Sequence, residues 1–166
     1  MDLDFFKKTR ILDGGTGQEL LAKGLISKGT LWSTSALIDE KFHQLLVDVH
    51  LSFINAGADV IVTNNFSSRK IRLIQNKVEE KFKYVNKKAC ELANKAREVS
   101  KGNILIAGSL PPQNGTYVVD EREINTIKKD FMEQAEIIKP YVDFFYLDVI
   151  ASAKEVEAAC DVTEKL

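Results

Sequence analysis

The 166 residues are 45% hydrophobic and 28% charged, enough for one compact domain with a sizeable core and too few for two. Twenty-three Lys and Arg against 24 Asp and Glu leave a formal charge of −1, which removes the basic surplus that nucleic-acid or anionic-membrane binding draws on. Cys90 and Cys160 are the only cysteines, so a disulfide framework and a four-cysteine metal site are excluded, and a reducing, cytoplasmic setting is expected. The first ten residues mix Asp2 and Asp4 with Lys7, Lys8 and Arg10, and no apolar run approaches the roughly 20 residues that span a bilayer. Neither secretion nor membrane insertion is expected.

In chain order, Ile11-Leu12 runs into Asp13-Gly14-Gly15 and reads as a first buried strand. A long connection over 24–35 carries Leu31-Trp32-Ser33. Phe42, Leu45, Leu46, Val49 and Phe53 then fall on one face of a helix that Gly57 can close. Residues 58–63 (ADVIVT) form a second strand. Val78, Phe82, Val85, Ala89, Leu92, Ala96 and Val99 repeat at steps of 4 and 3, a helix seam expected to pack on a sheet, with Gly102 just past its end. Residues 103–109 (NILIAGS) give a third strand, followed by a second long connection over 110–122 with Pro111-Pro112, Gly115 and Tyr117. Ile124, Ile127, Phe131, Ala135 and Ile138 define another helix, stopped at Pro140. Residues 144–149 (FFYLDV) are a fourth strand, and Ser152 with Glu155 makes a capping box for a last helix.

Strand starts near 11, 58, 103 and 144 recur about every 45 residues, so the chain reads as four strand–loop–helix units. Such alternation requires a parallel sheet with helices over it, either an open doubly wound sheet or part of an eightfold barrel. A complete barrel takes about 250 residues, so four units correspond to half of one.

In both architectures ligands bind at the carboxyl ends of the strands. Those ends deliver Asp13, Gly14 and Gly15, then Thr63, Asn64 and Asn65, then Gly108 and Ser109, and finally Asp148. Gly14-Gly15-Thr16-Gly17 departs from a dinucleotide fingerprint, because Leu20 stands where its last glycine belongs and strand two ends without the ribose-binding acid. A tight turn is the competing reading. Asp13 and Asp148 form either a carboxylate pair for proton transfer or ammonium binding, or two helix N-caps. His43, His50, Cys90 and Cys160 all fall in helices away from the strand ends, the histidines as structural or solvated groups and the cysteines as small buried hydrophobes. Trp32 and Tyr117 either line a pocket or close the core.

Four segments, ILDGGTGQEL at 11–20, LWS at 31–33, VHLSFINAGADVIVTNNF at 49–66 and AGSLPP at 107–112, resemble the homocysteine S-methyltransferase family, also the N-terminal module of cobalamin-dependent methionine synthases. The resemblance spans nearly the whole chain. It implies an α/β fold made of parallel (β/α) units of a TIM barrel, residues 1–166 being its N-terminal half. It implies a methyltransferase that passes a methyl group from a small-molecule donor to the thiol of homocysteine, giving methionine, with Zn²⁺ converting the thiol to its thiolate. The amino-acid part of homocysteine is then held by Asp13, Gly14, Gly15, Thr63 and Asp148, where Asp148 stands one methylene short of the family's usual glutamate. The family's zinc cysteines belong to its later strands, and neither Cys90 nor Cys160 matches them. No catalytic or metal-ligating residue and no bound zinc are therefore assigned to this chain, which alone is expected to be inactive. The alternatives are a half-barrel binding or assembly module that self-associates through open sheet edges, and an unrelated TIM-barrel enzyme.

Overall fold

The computed structural model describes residues 3–166. Its centre is a three-stranded parallel sheet of β1 (Val60–Val62), β2 (Leu105–Leu110) and β3 (Phe144–Leu147), ordered β1-β2-β3. Val62 pairs with Ala107, and Ser109 with Tyr146. The expected first strand is reduced to one parallel bridge between Leu12 and Val60 on the free side of β1. The cause lies at Asp13. Its backbone N–H donates to Val60 O, but its side-chain Oδ2, not a backbone carbonyl, takes the Val62 N–H at 2.9 Å, and the ladder stops there.

Between Leu12 and β1 come α1 (Thr16–Ala22), α2 (Ser35–Ile38) and α3 (His43–Asn55). The expected face of α3 buries Leu46 and Val49 fully, and Gly57 ends the segment at φ +104°, a conformation that suits glycine. After β1, the short helix α4 (Lys70–Gln75) occupies a stretch that hydrophobic periodicity leaves unassigned. The long helix α5 (Phe82–Ser100) starts later than its seam suggests. Val78 precedes it in a turn, and Val99 is 56% exposed, because the helix runs beyond the α3 surface it packs on. Its end is closed by Lys101 at φ +53°, one residue before Gly102.

Helix α6 (Ile124–Ile138) follows its predicted face, with Ile127, Phe131, Ala135 and Ile138 fully buried. Each large side chain of that set contributes roughly 1.5–3 kcal/mol by leaving water. Gly108 on β2 lets this helix approach, since a Cβ there would lie 3.0 Å from Ile138 Cδ1. Helix α7 (Ala153–Thr163) begins at the predicted cap, where Ser152 accepts from the Glu155 N–H and its hydroxyl donates to Glu155 Oε2.

The helices cover one face of the sheet. Ile61, Ile106 and Leu110 point into that core, joined by Phe145 and Leu147. The opposite face is only partly covered: Leu12 is 40% exposed, and Val62, Phe144 and Tyr146 are half-buried. Among the described residues, no helix is long and apolar enough to cross a membrane.

Candidate functional site

A cleft of about 810 Å³ opens at the carboxyl ends of the strands. Asp13, Gly14, Gly15, Thr63 and Asp148, separated by up to 135 positions in sequence, all line it. Both long connections reach it too, through Trp32 and Ser33 from the first and Thr116 and Tyr117 from the second. Tyr117 is 82% exposed, so it lines the cleft and does not close the core. Three non-glycine residues of the wall, Trp32, Tyr117 and Val149, hold φ between +46° and +60°. Left-handed backbone at such side chains costs of order 1 kcal/mol or more each, and strain of this kind gathers where a site must be held in one shape.

Asp13 sits at the back of the cleft with its carboxyl pushed up to about 7. Burial is the main cause, opposed by the Val62 N–H and reinforced by the charge of Asp148. Asp148 is also raised by burial, with the Ser109 hydroxyl donating to its Oδ2 at 3.0 Å as the counterweight. Tyr146 lies within the field of both acids, and burial together with their charges raises its phenol. Neither carboxylate caps a helix: α1 starts after Gly15 without a side-chain cap, and Ser152 caps α7. Two acids short of solvent and free of any cation have a strong preference for a proton or a positively charged ligand.

Thr63 lines the cleft with its hydroxyl already engaged, donating to Asn65 Oδ1 at 2.6 Å and accepting from the Ser109 N–H at 3.0 Å. It belongs to a buried polar chain that sequence periodicity does not reveal. Asn65 Nδ2 donates to Asn86 Oδ1 and to Ser109 O, Gln134 Nε2 donates to the same Asn86 oxygen, and Gln113 Nε2 donates to Gln134 Oε1. Asn86 and Gln134 occupy helix faces where only the tertiary packing makes them internal.

Arg69 and Arg72 are further cleft residues absent from the sequence reading. The run Asn65 to Arg69 after a strand end was the available signal, but a charged residue beyond a strand reads as solvated surface. Arg69 is instead fully buried, donating to Pro112 O and Thr116 Oγ1. Burial, with Arg72 nearby, lowers its guanidinium to about 10, so it stays charged at neutral pH.

His43 and His50 lie outside the cleft wall. His43 Nε2 is 3.0 Å from Leu37 O, whereas His50 is wholly buried and its imidazole is lowered to about 4, which keeps it neutral. Cys90 packs in the α6–α7 core with its thiol pushed up to about 12 by burial. Cys160 is exposed on α7, contrary to the buried role expected, because it faces away from α6. A zinc ion does not fit these residues: among the described residues no three His, Cys, Asp or Glu side chains gather as a ligand set, and both thiols lie elsewhere.

The close fit of Gly17 gives a first test. A Cβ at Gly17 would lie 2.9 Å from Trp32 Cζ2, so Gly17→Ala is expected to displace the indole into the cleft. The Trp32 fluorescence, from the chain's single tryptophan, should shift while far-UV circular dichroism stays unchanged.

Comparison with known proteins places this cleft in a family. A family model described as homocysteine S-methyltransferase matches residues 10–166. The homocysteine S-methyltransferase of Escherichia coli is 32% identical over 120 residues, 68% of this chain and 38% of that protein. The S-methylmethionine–homocysteine S-methyltransferase of Rattus norvegicus is 29% identical over 156 residues, 93% of this chain and 39% of the relative. This chain thus spans about two fifths of the length of these relatives. The crystal structure of the homocysteine methyltransferase MmuM from Escherichia coli in its metallated form superposes with a TM-score of 0.85 at 24% identity, covering 98% of this chain and 62% of that one. The α/β fold with its parallel sheet is therefore shared. With the match running through the strand ends that build the cleft, the chain belongs to the homocysteine S-methyltransferase family.

Proposed function

We propose that this chain is the N-terminal half of a homocysteine-binding (β/α)₈ barrel and holds the amino-acid part of homocysteine for methyl transfer to its thiol. The observation that carries this reading is the pair of half-buried carboxylates, Asp13 and Asp148, in the strand-end cleft, with no cation beside either among the described residues. An α-ammonium group placed between them supplies the missing positive charge. The exposed Gly14 and Gly15 leave room for a ligand beside the two acids, and Thr63 positions the wall through Ser109. The half-exposed sheet face fits a barrel whose remaining units would cover it. The metal that activates the thiol and the bulk of the donor site belong, on this reading, to the rest of the family barrel, so the 166 residues bind homocysteine without turning it over.

Binding and protonation are coupled in a defined direction. In the free cleft Asp13 is about half protonated at pH 7, and only its carboxylate form pairs with an ammonium. Homocysteine affinity should rise about tenfold from pH 6 to pH 8, following the ionised fraction of a group with a pKa near 7. Calorimetric titration of the chain with L-homocysteine at several pH values measures the slope. A flat profile, or no binding at millimolar ligand, would remove Asp13 from the site.

A further inference from the structure

The chain has five arginines, and their partners divide them sharply. Arg10 pairs with Asp59 at 3.5 Å, Arg97 with Asp143 at 2.8 Å, and Arg122 with Asp120 and Asp130 at 2.7 and 2.8 Å. Arg69 and Arg72 have no carboxylate partner among the described residues, and they are the two that line the cleft. Among the described residues Arg69 is the largest fully buried side chain. Two of its nitrogens are fixed on neutral acceptors, Pro112 O and Thr116 Oγ1, while Nε has no partner at all. Arg72 is half-buried and reaches only Gln75 Oε1, at 3.4 Å.

A guanidinium taken out of water without a counter-ion is costly, and a second cation beside it adds to the cost. The Phe66 ring, 5.4 Å from the Arg69 guanidinium, offsets only part of it. The arrangement is economical only when an anion completes it. The planar fork of arginine is suited to carboxylate oxygens, and Thr116 and Tyr117 of the second long connection line the same cleft.

We propose that Arg69 and Arg72 form an anion subsite in the cleft that takes the carboxylate of an amino-acid ligand. This rests on the homocysteine reading for the identity of the cleft, and it adds a second pole. Asp13 and Asp148 select the positive end of a zwitterion, and the arginine pair selects its negative end. The carboxylate comes either from homocysteine or from an amino-acid methyl donor. Arg69, locked by Pro112 and Thr116, is the fixed element, and Arg72 is the adjustable one.

The test compares each acid with its carboxamide, which keeps the ammonium and the sulfur but lacks the negative charge. The 166-residue chain is titrated at about pH 6.5 with L-homocysteine and its amide, and with S-methyl-L-methionine and its amide. Wild type should favour the acid at least about tenfold for one of the two pairs, and that pair identifies the source of the carboxylate. Arg72→Gln should narrow the ratio to under about threefold. It is the primary variant because Arg72 is half-buried and its side chain bonds only Gln75, whereas Arg69→Lys tests the fixed element only if its circular dichroism matches wild type. Asp13→Asn should weaken acid and amide equally and leave their ratio intact. An acid-to-amide ratio near one for both pairs in wild type, or a ratio untouched by Arg72→Gln, overturns the proposal. Homocysteine binding that ignores Asp13→Asn while the ratio still depends on Arg72 overturns the ammonium reading instead, so the two fail separately.

Discussion

Asp13→Asn should cost at least about tenfold in homocysteine affinity and yet raise the melting temperature of the chain by about 2–8 °C at pH 8. Both effects come from one carboxyl group. In the folded chain it titrates near 7, against about 3.9 in an unfolded chain. Between those values the folded state holds the proton more tightly, so stability falls as pH rises through the window, and the full cost is present above pH 7. At face value the displacement is worth ~4 kcal/mol. Asp13 is partly exposed, and screening by solvent reduces this to about 1–2 kcal/mol. For a domain of this size each kcal/mol moves the midpoint by about 2–4 °C. Asn keeps an oxygen for the Val62 N–H, so the structural bond survives while the charge disappears. Thermal melts at pH 4 and pH 8 check the sign: the variant should gain at pH 8 and match wild type at pH 4. Loss of stability at both would make Asp13 a structural residue.

Asn86→Ala is the largest purely structural change expected, a loss of about 2–4 kcal/mol seen as a midpoint lower by roughly 4–16 °C. Asn86 ties the stretch after β1 and helix α6 to its own helix α5. It accepts from Asn65 and Gln134, and its Nδ2 donates to Ser68 O and Phe82 O. Truncation strands the Gln134 amide and the Ser68 carbonyl in a region with no water access, and each orphaned group costs about 1–3 kcal/mol. The same chain continues through Asn65, Thr63 and Ser109 to Asp148, so the variant should also weaken homocysteine binding without touching the ligand. By contrast, Glu91→Ala on the same helix removes only partly exposed pairs with Lys87 and Lys88, and should change stability by less than about 0.5 kcal/mol. A loss under about 1 kcal/mol for Asn86→Ala would show that neighbouring amides re-pair.

The parts of this fold legible in sequence are those whose information is local. The apolar faces of α3 and α6, the stop at Pro140 and the Ser152 cap each depend on residues within a turn or two of one another. The strand ends were legible for a related reason, since a short apolar run followed by Asp-Gly or Thr-Asn marks where a buried strand emerges. Ile11-Leu12 shows the limit. Its composition is that of a strand, yet pairing stops after one bridge because Asp13 uses its side chain on Val62, 49 residues away. The helix α4 was invisible because six residues are too few to display a period.

By itself, then, the sequence determined the alternation of the main strands and long helices, the set of residues delivered to the strand ends, and a net charge near zero. Only the tertiary structure decided which charges lack partners. Asp13 is raised because burial and Asp148 surround it, and Arg69 lacks a counter-ion because no acid among the described residues reaches it. Periodicity reports which side of an element faces inward, whereas the protonation and pairing of a buried group depend on the dielectric and charges brought around it by segments distant in the chain.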